Sequence, residues 1–247
     1  MQTVVFCHGI PGSVQDAALL QRANPHVDIV ALDLLSLGPD EASLVAAIKQ
    51  LGKDQPVHLV GFSIGAMVAI KAAAASPELI SRLTLVSPAA PLSTGPYLPD
   101  MAGKAIFALA MKRPKVLRAL TWVQGRVAHW APGILIKALF AKCGTAEKQL
   151  LEEPVFKAAM VQALRNSFAK APKAYLSYVA SYVDDWSATL PMVTCPVDLW
   201  HGTKDTWSPP DMSHRLVEVW GTKATLHQVQ DAEHYSTLQH AMLELAP

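Results

Sequence analysis

Over residues 1–90, short apolar runs alternate with helical patterns, and this alternation restricts the fold more than any other feature of the chain. Runs at 3–7, 28–32, 57–60 and 83–86 are dense in Val, Ile, Leu and Phe and are bounded by turn residues. Candidate helices at 14–22, 40–51 and 64–76 lie between them, the third Ala-rich and stopped by Pro77. Unbroken apolar runs of strand length are buried on both faces, and strands separated by helices pair in parallel through right-handed crossovers. The pattern resumes with a strand at 197–200, a helix near 210–220, a strand at 224–229 and a final helix from about 235 to 245. The expectation is an α/β core in residues 1–90 and 191–247, built on a mostly parallel sheet of about six strands.

Residues 91–190 read differently. They lack β-branched runs, their apolar residues recur at helical spacing, and Pro114, Pro132, Pro154 and Pro172 punctuate them. Four or five helices inserted between two strands of a sheet make a cap. Its large apolar residues are Ile106, Phe107, Leu109, Met111, Trp122, Trp130, Leu135, Phe140, Phe156 and Met160. Most should build the cap's own core, and some should line a pocket beneath it. The cap is also basic: residues 101–173 hold 13 Lys or Arg against Glu147, Glu152 and Glu153, a net of +10. The rest of the chain holds 8 basic and 17 acidic residues, so the formal total of +1 conceals a polar molecule.

Composition removes several classes of function. With 51% hydrophobic and 17% charged residues in 247, the chain has enough apolar surface for a sizeable core and is not disordered. Cys7, Cys143 and Cys195 form neither an even framework nor a Cys-x-x-Cys pair, which argues against a disulfide scaffold and a structural zinc site. No apolar stretch reaches the roughly 18 residues of a membrane span, and the first residues lack the basic region of a signal peptide. A soluble cytoplasmic protein without stable membrane insertion is expected. No phosphate loop, dinucleotide fingerprint or metal-ligand cluster occurs, so no cofactor and no metal are expected. Nucleic acid is disfavoured because no recognised module accompanies the basic residues.

The sequence Gly61-Phe62-Ser63-Ile64-Gly65 falls between the run ending at Val60 and the Ala-rich helix. A serine there occupies a tight turn that lifts its hydroxyl above the sheet, and glycines two residues away on either side leave room for the turn and for close helix–strand packing. In this strand–turn–helix context the chain resembles the α/β-hydrolase fold family. Three further segments carry the resemblance. His8-Gly9-Ile10-Pro11-Gly12-Ser13 follows the first strand, His201-Gly202-Thr203-Lys204-Asp205 with Pro209 follows the strand at 197–200, and Asp231-Ala232-Glu233-His234-Tyr235 follows the last. The resemblance implies Ser63 as nucleophile, Asp205 as the triad acid and His234 as general base. It also implies the backbone amides of Ile10 and Ile64 as an oxyanion hole, which requires no side chain. Ser63, Asp205 and His234 follow one another at gaps of 142 and 29 residues, in the family's order. His8 is expected to be structural, and Asp33 is a spare carboxylate at the end of the second strand.

The resemblance departs at one place. Relatives usually carry two further strands before the His8 loop, whereas this chain begins seven residues before His8. A shortened sheet is expected, its edge exposed or paired in a homodimer. A serine at the turn, rather than aspartate or cysteine, points away from epoxide, dehalogenase and thiolate chemistry and toward an acyl-enzyme. The expected function is hydrolysis of a carboxylic ester with a small to medium acyl group, anionic ones included. The same residues would also serve a thioesterase, or a C–C hydrolase or lyase of the meta-cleavage-product or menaquinone-pathway type. A ligand-binding protein that keeps the fold without turnover is the alternative from another class.

Overall fold

The computed structural model describes residues 2–245. Six strands form one sheet: β1 (Val4–Cys7), β2 (Ile29–Leu32), β3 (Val57–Phe62), β4 (Ile80–Val86), β5 (Val197–Gly202) and β6 (Ala224–Val229). Their order is β2-β1-β3-β4-β5-β6, and every pair is parallel. The strand runs read from the sequence therefore hold, and the sheet is parallel throughout. In such a sheet all carboxyl ends share one edge, and the loops that leave it there can converge. The His8, Ser63, Asp205 and His234 loops all leave from that edge.

The helices of the core are α1 (Ala17–Ala23), α2 (Leu34–Leu37), α3 (Glu41–Gly52) and α4 (Ile64–Ala75). The cap is inserted between β4 and β5. It contains α5 (Lys104–Lys112), α6 (Pro114–Trp130), α7 (Pro132–Leu139), α8 (Thr145–Glu152), α9 (Pro154–Arg165) and α10 (Pro172–Val183), with a π-helical turn at Asn166–Lys170. After β5 the core closes with α11 (Asp211–Trp220). Six cap helices stand where four or five were expected. The four prolines do more than end helices: each is the first residue of one, α6, α7, α9 and α10 in turn. Proline suits that position because its missing N–H would have had no intrahelical partner.

Helix α4 is buried almost all round, as its run of small apolar residues demands. The cap is tied to the core by α10, whose buried Tyr178 donates its hydroxyl to the carbonyls of Leu34 at 3.0 Å and Gly38 at 2.5 Å. The expected C-terminal helix does not form. Residues 235–245 contain one 3-10 turn, Ser236–Gln239, and then run irregularly. The cause is Asn24, a buried side chain that engages the backbone here. It donates to Leu20 O and Ala241 O and accepts from Leu243 N at 2.8–2.9 Å, so groups that a helix would pair internally are taken.

Candidate active site

Ser63 has φ 57° and ψ −127°, a conformation that a residue with a side chain adopts only under constraint. The two glycines supply the room. A Cβ on Gly61 would lie 2.6 Å from Ala66 Cα, and one on Gly65 would lie 2.3 Å from the carbonyl oxygen of Cys7. Helix α4 can therefore start directly against β1 and β3, and the Ser63 side chain, half-buried, opens into a cavity. The Ser63 N–H is held by Val86 O at 3.1 Å, and its carbonyl accepts from Ala66 and Ala89.

The carboxylate of Asp205 is buried and fully engaged. Oδ1 accepts from the backbone of Trp207 at 2.8 Å and of Ser208 at 3.0 Å, an Asx-type turn that fixes the loop. Oδ2 faces His234 Nδ1 at 2.8 Å and His201 Nε2 at 3.4 Å. Burial alone would raise this carboxyl; the imidazoles of His234 and His201 override it and hold it below the usual carboxylate range. A carboxylate beside Nδ1 places the His234 proton on that nitrogen and leaves Nε2 as the basic atom. The ring is clamped by Trp207, stacked at 5.0 Å between centroids, and by Phe62 at 4.9 Å. Its carbonyl accepts from Ser87 Oγ at 3.0 Å. Phe62 immediately precedes Ser63 and Ser87 immediately follows the Val86 that holds it, so the Ser63 turn and the His234 loop adjoin at the sheet edge. Among the described residues the Ser63 hydroxyl makes no hydrogen bond, to His234 or to any other group.

Ile10 and Ile64 line the same cavity as Ser63, and neither backbone N–H has a hydrogen-bond partner among the described residues. The loop bearing Ile10 is held by Asp16, whose Oδ2 accepts from Ser13 N at 3.4 Å in a capping box. Burial pushes the Asp16 carboxyl up to about 7. His8 is buried and structural: its Nδ1 pairs with Gly9 O at 2.7 Å, its Nε2 accepts from Leu34 N at 3.1 Å, and burial lowers its pKa to about 4. Asp33 is exposed and caps α2 through Ser36, away from this cluster.

Several residues of the site were not singled out from the sequence. His201 packs behind Asp205, with Nε2 donating to Ser208 O at 2.8 Å and Nδ1 accepting from Ser213 Oγ at 2.6 Å. Two buried glutamates join the cap to the loop that carries His234. Glu233 accepts from the backbone of Gly144 at 2.7 Å, at the N-terminus of α8. Glu147, one turn into α8, accepts in return from Tyr235 N at 2.5 Å and Ser236 N at 3.1 Å. Each carboxylate caps the other's backbone. The available signal was that Glu147 is one of only three acids in the basic stretch 101–173.

The cavity has a volume of about 320 Å³. From the expected set, Ile106, Phe107 and Leu135 line it, joined by Leu139, Leu164 and Phe168. Phe140 and Phe156 pack instead around Tyr235 behind His234, whereas Met111, Trp122 and Trp130 are exposed. Gln124 lies in the wall, with Oε1 buried and without a hydrogen-bond partner among the described residues. No group of three or more His, Cys, Asp or Glu that could hold a metal occurs among the described residues, and no helix there is long and apolar enough to cross a membrane.

Comparison with solved structures finds the same architecture. An enol-lactonase from Burkholderia xenovorans superposes with a TM-score of 0.66 at 19% identity, over 97% of this chain and 86% of its own. MenH from S. aureus gives 0.62 at 17% identity over 96% and 88%. A thermophilic esterase from Thermogutta terrifontis gives 0.60 at 18% identity over 97% and 85%. No curated protein matches the sequence. A family model described as the alpha/beta hydrolase family matches residues 4–247, and with the sheet order and the elbow at Ser63 the conclusion is direct: the chain belongs to the alpha/beta hydrolase family.

Proposed function

We propose that the chain is a serine hydrolase that cleaves carboxylic esters of small to medium acyl groups through an acyl-enzyme. The observation that carries this reading is the buried Asp205–His234 pair at 2.8 Å beside a strained Ser63 that opens into an apolar cavity. Ser63 Oγ attacks the ester carbonyl while His234 Nε2 takes its proton. The amides of Ile10 and Ile64 receive the negative charge that develops on the carbonyl oxygen. Collapse expels the alcohol, protonated by His234, and leaves the acyl group on Ser63. Water, deprotonated by the same nitrogen, then releases the acid and restores the hydroxyl.

The cavity supports a neutral acyl group over an anionic one. Among the described residues that line it, the one formal cation is Lys142, which is exposed. Ester and lactone chemistry also has precedents on this fold in the esterase and the enol-lactonase above.

Labelling with a fluorophosphonate, together with a panel of p-nitrophenyl esters of graded chain length, tests the reading. Wild type should label and turn over short to medium esters, and Ser63→Ala should do neither. Equal labelling of the two proteins would refute the assignment.

A further inference from the structure

We infer that the outer face of the cap is a docking surface for an anionic lipid bilayer. Helix α6 has two sides. Leu117, Thr121, Gly125 and Ala128 are buried against the rest of the cap. On the opposite side Lys115, Arg118, Trp122, Arg126 and Trp130 succeed one another at spacings of three or four residues, which stacks them in a single stripe along the helix. All five are exposed, Trp122 at 68% and Trp130 at 74%, and Val116 and Val123 flank the stripe at 48% each. Large indoles are not left in water at that level by a requirement of the cap's core, which α6 satisfies with its other face.

The charge around the stripe has one sign. Residues 104–139, which make up α5 to α7, hold seven Lys or Arg and no Asp or Glu. None of Lys115, Arg118 and Arg126 has an ion-pair partner among the described residues. A basic helix of this length, with cations and indoles alternating along one exposed side, matches the headgroup layer of a bilayer. The indoles settle at the boundary with the acyl chains while the long cationic side chains reach lipid phosphates. With 17 residues the helix runs for about 26 Å in the plane of contact.

The competing occupant is a second copy of the chain, whose core is acidic. A protein partner covering this stripe would bury a cation one turn from each indole, and a desolvated cation is costly unless it is individually paired. The headgroup layer imposes no such matching. The wall of the cavity also reaches the surface, at the end of α7 and just after it. Ala138 and Lys142 are both exposed and both line the cavity, and exposed Ile134 stands one turn before Ala138 on α7. The docking inference does not require the ester chemistry, since it is read from binding alone.

The test is co-sedimentation with vesicles at low salt. Binding to equal parts phosphatidylglycerol and phosphatidylcholine should exceed binding to pure phosphatidylcholine by at least about tenfold, and should weaken as salt shortens the reach of the charges. Arg118→Gln with Arg126→Gln should reduce the partition coefficient by about fivefold per cation, roughly 25-fold together. Trp122→Ala with Trp130→Ala should abolish the blue shift of tryptophan emission on vesicle addition. All four positions are exposed, so the variants should unfold within about 2 °C of wild type. Failure of wild type to sediment with the anionic vesicles overturns the inference, as does binding that neither double variant changes. Sedimentation velocity decides the competing occupant: a dimer that Trp122→Ala with Trp130→Ala dissolves would assign the stripe to a second copy.

Discussion

Replacing Glu147 by glutamine should change how stability depends on pH, and the structure sets both the sign and the size. The carboxyl is fully buried, and burial, reinforced by the charges of Glu233 and Asp205, pushes it up to about 8 from an ordinary 4.5, despite the two backbone donors. A carboxyl raised on folding binds its proton more tightly in the native chain. Its stabilising contribution is complete below about 4.5 and is lost as pH rises through 8. Over that interval the loss is about 5 kcal/mol for the wild type. Asp205 has the opposite sign: its carboxyl is depressed, so its contribution is present above the ordinary carboxylate range and lost as pH falls through the lower native value, outside this window. Glutamine keeps an acceptor for Tyr235 N–H and Ser236 N–H but cannot titrate. Urea unfolding at intervals from pH 5 to 8 should therefore show wild type losing several kcal/mol relative to Glu147→Gln as pH increases. Parallel stability curves across that range would refute the argument, because they would mean that the carboxyl has the same proton affinity folded and unfolded.

Asp205→Asn should lower kcat by about 10⁴ with the fold retained. The amide oxygen can still accept from Trp207 and Ser208, whereas its NH₂ can face only an unprotonated Nδ1 and so forces the wrong His234 tautomer; steady-state kinetics with circular dichroism as control would check this. Asn24→Ala removes three hydrogen bonds of a buried side chain, two of which fasten the C-terminal segment, and should cost about 3 kcal/mol in urea unfolding. Gln124→Leu replaces a side chain whose buried carbonyl oxygen has no partner by one of similar volume. It should raise stability by about 1 kcal/mol or more, measured by thermal unfolding.

The legible parts of the fold were those written in local patterns. The six strand runs were unbroken apolar segments that nothing else in a soluble α/β chain would explain, and the elbow required glycines where Gly61 and Gly65 stand. The final helix was misread because the evidence against it lay 217 residues away along the chain, in the contact of Asn24 with Ala241. Apolar periodicity near 235–245 is compatible with a helix, and only the tertiary competitor for its backbone groups removes it. The cap lining was legible in kind but not in membership. Trp122 and Trp130 have the composition of core residues, and helical phase alone does not say which side of α6 meets the rest of the cap. The glutamate pair was hidden for a similar reason: Glu147 and Glu233 each look like solvated acids until α8 is laid against the loop of His234.

That pairing changes what the cap is. A cap joined only by its two connecting strands could be altered freely while the sheet edge kept its geometry. Here the loop of His234 draws on both parts of the molecule. From the core it has Ser87 on the His234 carbonyl and the rings of Phe62 and Trp207 on the imidazole. From the cap it has Glu147 on the two amides that follow, and Phe140 and Phe156 against Tyr235. A Tyr235 N–H and a Ser236 N–H left without that carboxylate would be buried and unpaired at about 1–3 kcal/mol each. The energetic boundary between core and cap therefore does not coincide with the boundary in the chain. The helix that begins at Thr145 belongs, by what it holds in place, to the machinery at the sheet edge, whereas α6 turns its cations and indoles the other way, toward whatever the molecule rests against.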